Sequence, residues 1–121
     1  MARAFHAAVA IRQSVLVHGG LDKTSSPISD LSFYSLDLQS WIDLPVSNEG
    51  PGALAYHAAV AIFDPSQAAS AVPESGAVYF FGGKGVDGCA NNSLWTLIFD
   101  RRIARWQEII LPNAPAPRYG H

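Results

Sequence analysis

Charge is scarce in this chain, and cysteine is almost absent. The 121 residues include eight Lys or Arg and ten Asp or Glu, a formal net charge of −2. No basic field is present to track a nucleic acid backbone or an anionic membrane, so neither partner is expected. The single cysteine, Cys89, excludes an intrachain disulfide and a cysteine-rich metal site. No uninterrupted apolar run approaches the ~18 residues of a transmembrane helix. Residues 1–20 carry arginines at 3 and 12 and lack the apolar core of a secretory leader. These absences lead to the expectation of a soluble, cytoplasmic protein. The length suits one ordinary domain and is too short for two.

What the chain does have is apolar residues, 49% of the total, punctuated by ten glycines and eight prolines. That rhythm suits short strands and turns better than helices. Two stretches organise it: Val15-Leu16-Val17-His18-Gly19-Gly20 and Val78-Tyr79-Phe80-Phe81-Gly82-Gly83. Each is an apolar run of strand length that ends on two glycines. Such a pair marks a backbone reversal into φ > 0, where other residues are strained.

The surroundings repeat as well. His6-Ala7-Ala8-Val9-Ala10-Ile11 recurs letter for letter as His57-Ala58-Ala59-Val60-Ala61-Ile62, preceded by Phe5 and Tyr56. After each glycine pair come a polar loop and a third strand, Leu31 to Leu36 and Leu94 to Phe99. A fourth strand then opens on tryptophan, at Trp41 and Trp106. Tyr34 and Phe99 each stand seven positions before that tryptophan, and Pro45 and Pro112 close the units. The second copy is longer mainly through an insert at 64–76, rich in Ala, Ser and Pro, which reads as a surface excursion. Pro117-Arg118-Tyr119-Gly120-His121 repeats the opening of a unit, as Arg3 to His6 does.

This combination resembles the kelch repeat, a four-stranded blade of a β-propeller: an apolar run into Gly-Gly, an aromatic, a six-residue gap and a tryptophan. The resemblance covers nearly the whole chain, and the period of about 50 residues suits it. Phe99 in place of the usual tyrosine and the insert in copy two are the departures. The fold class expected is therefore all-β, a kelch-type β-propeller segment of two four-stranded antiparallel blades in an incomplete ring. Residues 1–121 form one kelch-repeat region: blade 1 about 3–46, blade 2 about 54–112, and the start of a third at 117–121. In such a blade the first strand lines the central channel, where space is small. The Ala-Ala-Val-Ala strands fit that place, and both tryptophans are expected to fill the wedge between blades.

Propellers close with about 4–8 blades, so two blades leave apolar faces unpaired. The chain is expected either to be a piece of a longer propeller, which the third opening favours, or to complete a ring with copies of itself or another chain.

Several residues invite a chemical reading. His6, His57 and His121 occur once per repeat at equivalent positions, an arrangement around a ring and not one of convergence on a metal. They and His18 read better as histidines bonded to loop backbone. Cys89 with Tyr34 or Tyr79 suggests a copper-radical oxidase, since galactose oxidase resembles kelch propellers in fold, but fold does not carry function. No residue matches a copper motif, so no catalytic residue, metal or other cofactor is assigned. Asp37 and Asp43 show no sign of convergence, and Arg101, Arg102 and Arg105 read as a solvated turn.

Strand alternation gives the better argument. The second-to-third and fourth-to-first loops open on one face and carry Asp22, Lys23, Ser25, Ser26, Lys84, Asp87, Asn91 and Arg118. Loops on a rigid scaffold are where binding residues concentrate. The resemblance implies a protein–protein interaction module that holds a protein or peptide on this face, without catalysis of its own. The alternative is a piece of a propeller enzyme such as a galactose-oxidase-like oxidase.

Overall fold

Each sequence repeat folds into its own sheet in the computed structural model, which describes residues 2–64, 73 and 75–121. The first sheet is β1 (Ala7–Ile11), β2 (Ser14–His18), β3 (Leu31–Ser35) and β4 (Ser40–Ile42). The second is β5 (Ala58–Ile62), β6 (Ser75–Phe81), β7 (Leu94–Asp100) and β8 (Ile103–Ile109). Both are antiparallel, with strands side by side in chain order, and no helix occurs among the described residues. The chain is all-β, an open pair of four-stranded sheets of the kind an incomplete propeller would present.

The pattern of side chains explains the strands. In β1, Ala7, Val9 and Ile11 are buried while Ala8 and Ala10 are exposed, the period-two alternation of a sheet with one covered face. Hairpins are tight because their turns accept left-handed backbone. Arg101 and Arg102, at φ 52° and 67°, form the two-residue loop between the paired Asp100 and Ile103. Two positive-φ residues there match the twist of the flanking strands.

Several boundaries move from the sequence expectation. Strand β8 begins at Ile103, so Trp106 sits mid-strand and does not open it. Likewise β6 begins at Ser75 and takes in Gly76, both assigned above to the insert. The reason is pairing: seven-residue β7 holds Ser75 and Gly76 opposite Asp100 and Phe99. Gly76 also leaves space for the Phe63 ring, which a Cβ would strike. Of the expected 64–76 insert, residues 65–72 and 74 lie outside the described residues.

The two sheets pack face against face and approach most closely at β1 and β5. Small residues stand there as expected, with Ala59 and Ala61 packed at the edge of the core. The first sheet contributes Val9, Ile11, Leu16 and Phe33 to that core. The second contributes Val78, Phe80, Leu97, Phe99, Ala104 and Trp106. Trp106 is 7% exposed, and burial of an indole removes about 150–250 Å² from water, worth roughly 4–6 kcal/mol.

Trp41 corrects the expectation that both tryptophans fill a wedge: it is 62% exposed. The physical reason is directional. Trp106 packs on the sheet that precedes its own, and among the described residues no sheet precedes the first.

The connector between the sheets does more than join them. Ser47 N–H donates to the Ala104 carbonyl at 2.9 Å, and Ala104 N–H donates to the Pro45 carbonyl at 2.8 Å. Residues 45–47 thus run parallel to the free edge of β8. Asn48 continues the pairing with its side chain, accepting from Trp106 N–H at 2.7 Å and donating to the Trp106 carbonyl at 2.8 Å. Gly50 then lies against the Trp106 ring, so close that a Cβ would sit 2.5 Å from indole carbons.

Candidate functional site

The glycine pairs, the connector and the last residues meet at one end of the two sheets. Each pair turns the chain with φ between 69° and 105°. Gly20 N–H donates to the Leu54 carbonyl at 2.8 Å, and Gly83 N–H donates to the Arg118 carbonyl at 2.8 Å. Leu54 and Arg118 each lie three residues before a histidine, His57 and His121. Those imidazoles cover the first glycines: a Cβ on Gly19 would lie 2.9 Å from His57 Cε1, and one on Gly82 2.7 Å from His121 Cε1. The seat is therefore built twice with the same parts.

A second thread runs beside the first. Phe5, Tyr56 and Gly120, each just before a repeat histidine, all hold left-handed backbone at φ 59°, 60° and 70°. Tyr56 N–H donates to the Phe5 carbonyl at 2.9 Å, and Gly120 N–H donates to the Tyr56 carbonyl at 2.8 Å. The Phe5 and Tyr56 rings stack at 4.3 Å, and Tyr119 stands 5.8 Å from Tyr56.

This geometry places the eight residues singled out from the sequence on one end of the molecule, but most of their polar groups hold the loops themselves. Asp22 Oδ1 accepts from Thr24 N–H, Thr24 O–H and Ser26 N–H at 2.8, 2.7 and 3.1 Å. The Thr24 hydroxyl bond, ahead of the backbone bonds, draws the Asp22 carboxyl below its ordinary pKa. Ser26 Oγ is 3.0 Å from Thr24 Oγ1, and Ser25 occupies the left-handed turn position at φ 63°. Asp87 repeats the motif, accepting from Cys89 N–H at 3.0 Å, and Asn91 accepts from Ser93 N–H at 3.1 Å. Arg118 Nε donates to the Ala116 carbonyl at 3.1 Å. Lys84 Nζ lies 5.4 Å from the Tyr119 ring centre, a cation–π distance, while Lys23 is exposed.

Between these loops lies a cleft of about 360 Å³, lined by Leu21, Ser25, Pro27, Tyr56, Lys84 and Val86 among others. A neighbouring depression of about 390 Å³ adds Leu54, Asp87, Cys89 and Asn91. Of the eight, the structure brings Ser25 and Lys84 to the first cleft and Asp87 and Asn91 to the second. Lys23, Ser26, Asp22 and Arg118 line neither. Val86, 80% exposed and lining both, and Tyr56 in the first were not among the binding residues expected from the sequence. An exposed valine between glycines in a loop was the available signal.

His18 and His57 depart from the expectation of bonds to loop backbone. His18 Nδ1 lies 3.0 Å from His57 Nε2, one ring from each sheet and both buried. His57 Nδ1 is buried without a partner. Phe80 and Trp106 surround His18, with ring centres at 5.3 and 5.4 Å. Desolvation first, then the neighbouring His57, lowers the His18 pKa to about 3. Desolvation, then His121 and His6, lowers that of His57 to about 4. Both rings are therefore neutral at pH 7, and one ring donates the shared proton to the other. Beside them Arg3 pairs with Asp30 and donates to the Gly19 carbonyl at 3.2 Å. That guanidinium, with help from Ser32, holds the Asp30 carboxyl below its usual range. Among the described residues no three His, Cys, Asp or Glu side chains gather as a metal site.

No protein-family profile matches the chain. Over 123 aligned positions it is 32% identical to the dynein alpha chain of the flagellar outer arm of Chlamydomonas reinhardtii. The match takes in 98% of this chain and 2% of that one, so the chain spans a very small part of the relative's length.

Proposed function

We propose that the chain is a pair of kelch-type propeller blades whose loop face binds a protein or peptide partner. The observation that carries this reading is the cleft between the loops of the two sheets. Leu21, Pro27 and Tyr56 line it together with Lys84. The face is also rigid by construction, because Asp22, Asp87 and Asn91 hold their loops with local hydrogen bonds. The Asp22 and Asp87 carboxylates are turned into the loops, while Lys23 is exposed and Lys84 lines the cleft. The fitting ligand is a peptide with an apolar anchor flanked by acidic residues. Similarity to a short stretch of a dynein alpha chain supports reading the chain as one domain of a larger protein.

Panning a displayed peptide library on the intact chain tests this. The selected peptides are expected to share an apolar residue next to Asp or Glu. Lys84→Glu and Val86→Asp should each weaken them at least tenfold, while Arg101→Ala at the opposite end leaves them unchanged. Peptides without a shared pattern, or insensitive to both loop substitutions, would refute the assignment.

A further inference from the structure

Two faces of the molecule are left open, and they are the counterparts of the two faces that already meet. The outer face of the first sheet carries Ala8, Ala10, Val17 and Trp41. Their counterparts in the second sheet, Ala59, Ala61, Phe80 and Trp106, pack against the first sheet. The outer face of the second sheet carries Val60 and Ile62, 57% and 62% exposed. Their counterparts Val9 and Ile11 are buried against the second sheet.

The correspondence extends to a socket and what fills it. Within the chain, His18 at the end of β2 enters a pocket formed by His57, Phe80 and Trp106. The equivalent set on the first sheet, His6, Val17 and Trp41, borders an open cleft of about 450 Å³ together with Arg3, Asp30 and Ser32. The residue equivalent to His18 is Phe81, at the end of β6, on the other open face. The seat at Gly82 and Gly83 is filled by Arg118 to His121, whose Arg-x-x-His pattern is that of Arg3 to His6.

The geometry points to head-to-tail association of this chain with a second copy of itself. The outer face of one second sheet takes the outer face of the next chain's first sheet, with Phe81 in the cleft beside Trp41. Arg3 to His6 of the incoming chain displaces Arg118 to His121 from the glycine pair. Such an interface is heterologous, so it propagates until a ring closes or a filament forms. At about 4–8 blades, a ring holds two to four chains. The template is the sheet-to-sheet interface inside the chain, already built with the same residue types.

The test is complementation on the whole chain. Trp41→Asp blocks one face and Val60→Asp the other, both at exposed positions, so each variant should keep the native far-ultraviolet spectrum. By light scattering the native chain should run at a multiple of its 13.0 kDa. Each variant alone should run as a single chain, and an equimolar mixture should give a dimer and nothing larger. Ending the chain at Pro117 should lower the concentration for half-association at least several-fold. A native chain that stays single, a variant that still self-associates, a mixture that does not pair, or a truncation without effect would each overturn the proposal.

Discussion

Nδ1 of His18 sits 3.0 Å from Nε2 of His57, and this hydrogen bond joins two sheets whose histidines are 39 residues apart. Both rings titrate well below the ordinary imidazole pKa, because burial opposes the charged form. The unfolded chain therefore takes up protons near pH 6.5 that the folded chain refuses. Stability is constant above that value and falls as pH drops toward 4, where His57 also begins to charge. The loss is expected to be on the order of 2–3 kcal/mol per imidazole. Denaturant midpoints between pH 7 and 4.5 measure it. His57→Gln should flatten the profile, and an unchanged slope in that variant would contradict the assignment.

The two tryptophans are expected to respond differently to truncation. Trp106→Ala removes a buried ring from the centre of the sheet interface and should cost about 3–5 kcal/mol. Trp41→Ala removes an exposed ring and should cost less than about 1 kcal/mol in the dissociated chain. Urea unfolding at low protein concentration separates the two, and equal costs would mean that Trp41 is buried in solution.

Gly19 has no room for a side chain. A Cβ there would meet the Leu54 carbonyl and the His57 ring while the backbone stays at φ 69°. Gly19→Ala is therefore expected to cost roughly 2–4 kcal/mol, from left-handed strain and the displaced connector. Gly52→Ala offers a control, since φ is 78° but nothing lies within 4 Å. Thermal unfolding of the pair would separate strain from collision.

Asn48 acts as a short strand for the edge of β8. Asn48→Ala leaves Trp106 N–H and C=O without their partner, a loss of about 1–3 kcal/mol. Amide exchange at Trp106 should accelerate, while Leu97, within the sheet, should keep its protection relative to global stability. Asn48→Asp should be worse than Ala, because a carboxylate would face the Trp106 carbonyl.

Much of this architecture is legible in the chain because its determinants are local. Alternation in Ala7 to Ile11, the glycine pairs and the repeated letters around His6 and His57 place all eight strands and their pairing order. The polar loop residues could be placed on one face, since turns of a meander alternate ends. Which of them keep their polar groups for a ligand could not be read, because Asp22 and Asp87 could equally face outward or fold back on their own loops. Val86 and Tyr56 gain their place in a cleft only when loops from different sheets meet.

Two equivalent sheets follow from local chemistry, because strand identity depends on side-chain period and backbone freedom over a few residues. Tertiary structure alone decided that Trp106 is buried while its twin Trp41 is exposed, and that His18 bonds His57 across the seam. Those outcomes depend on what stands opposite each residue, and identical letters in the two repeats face different neighbours.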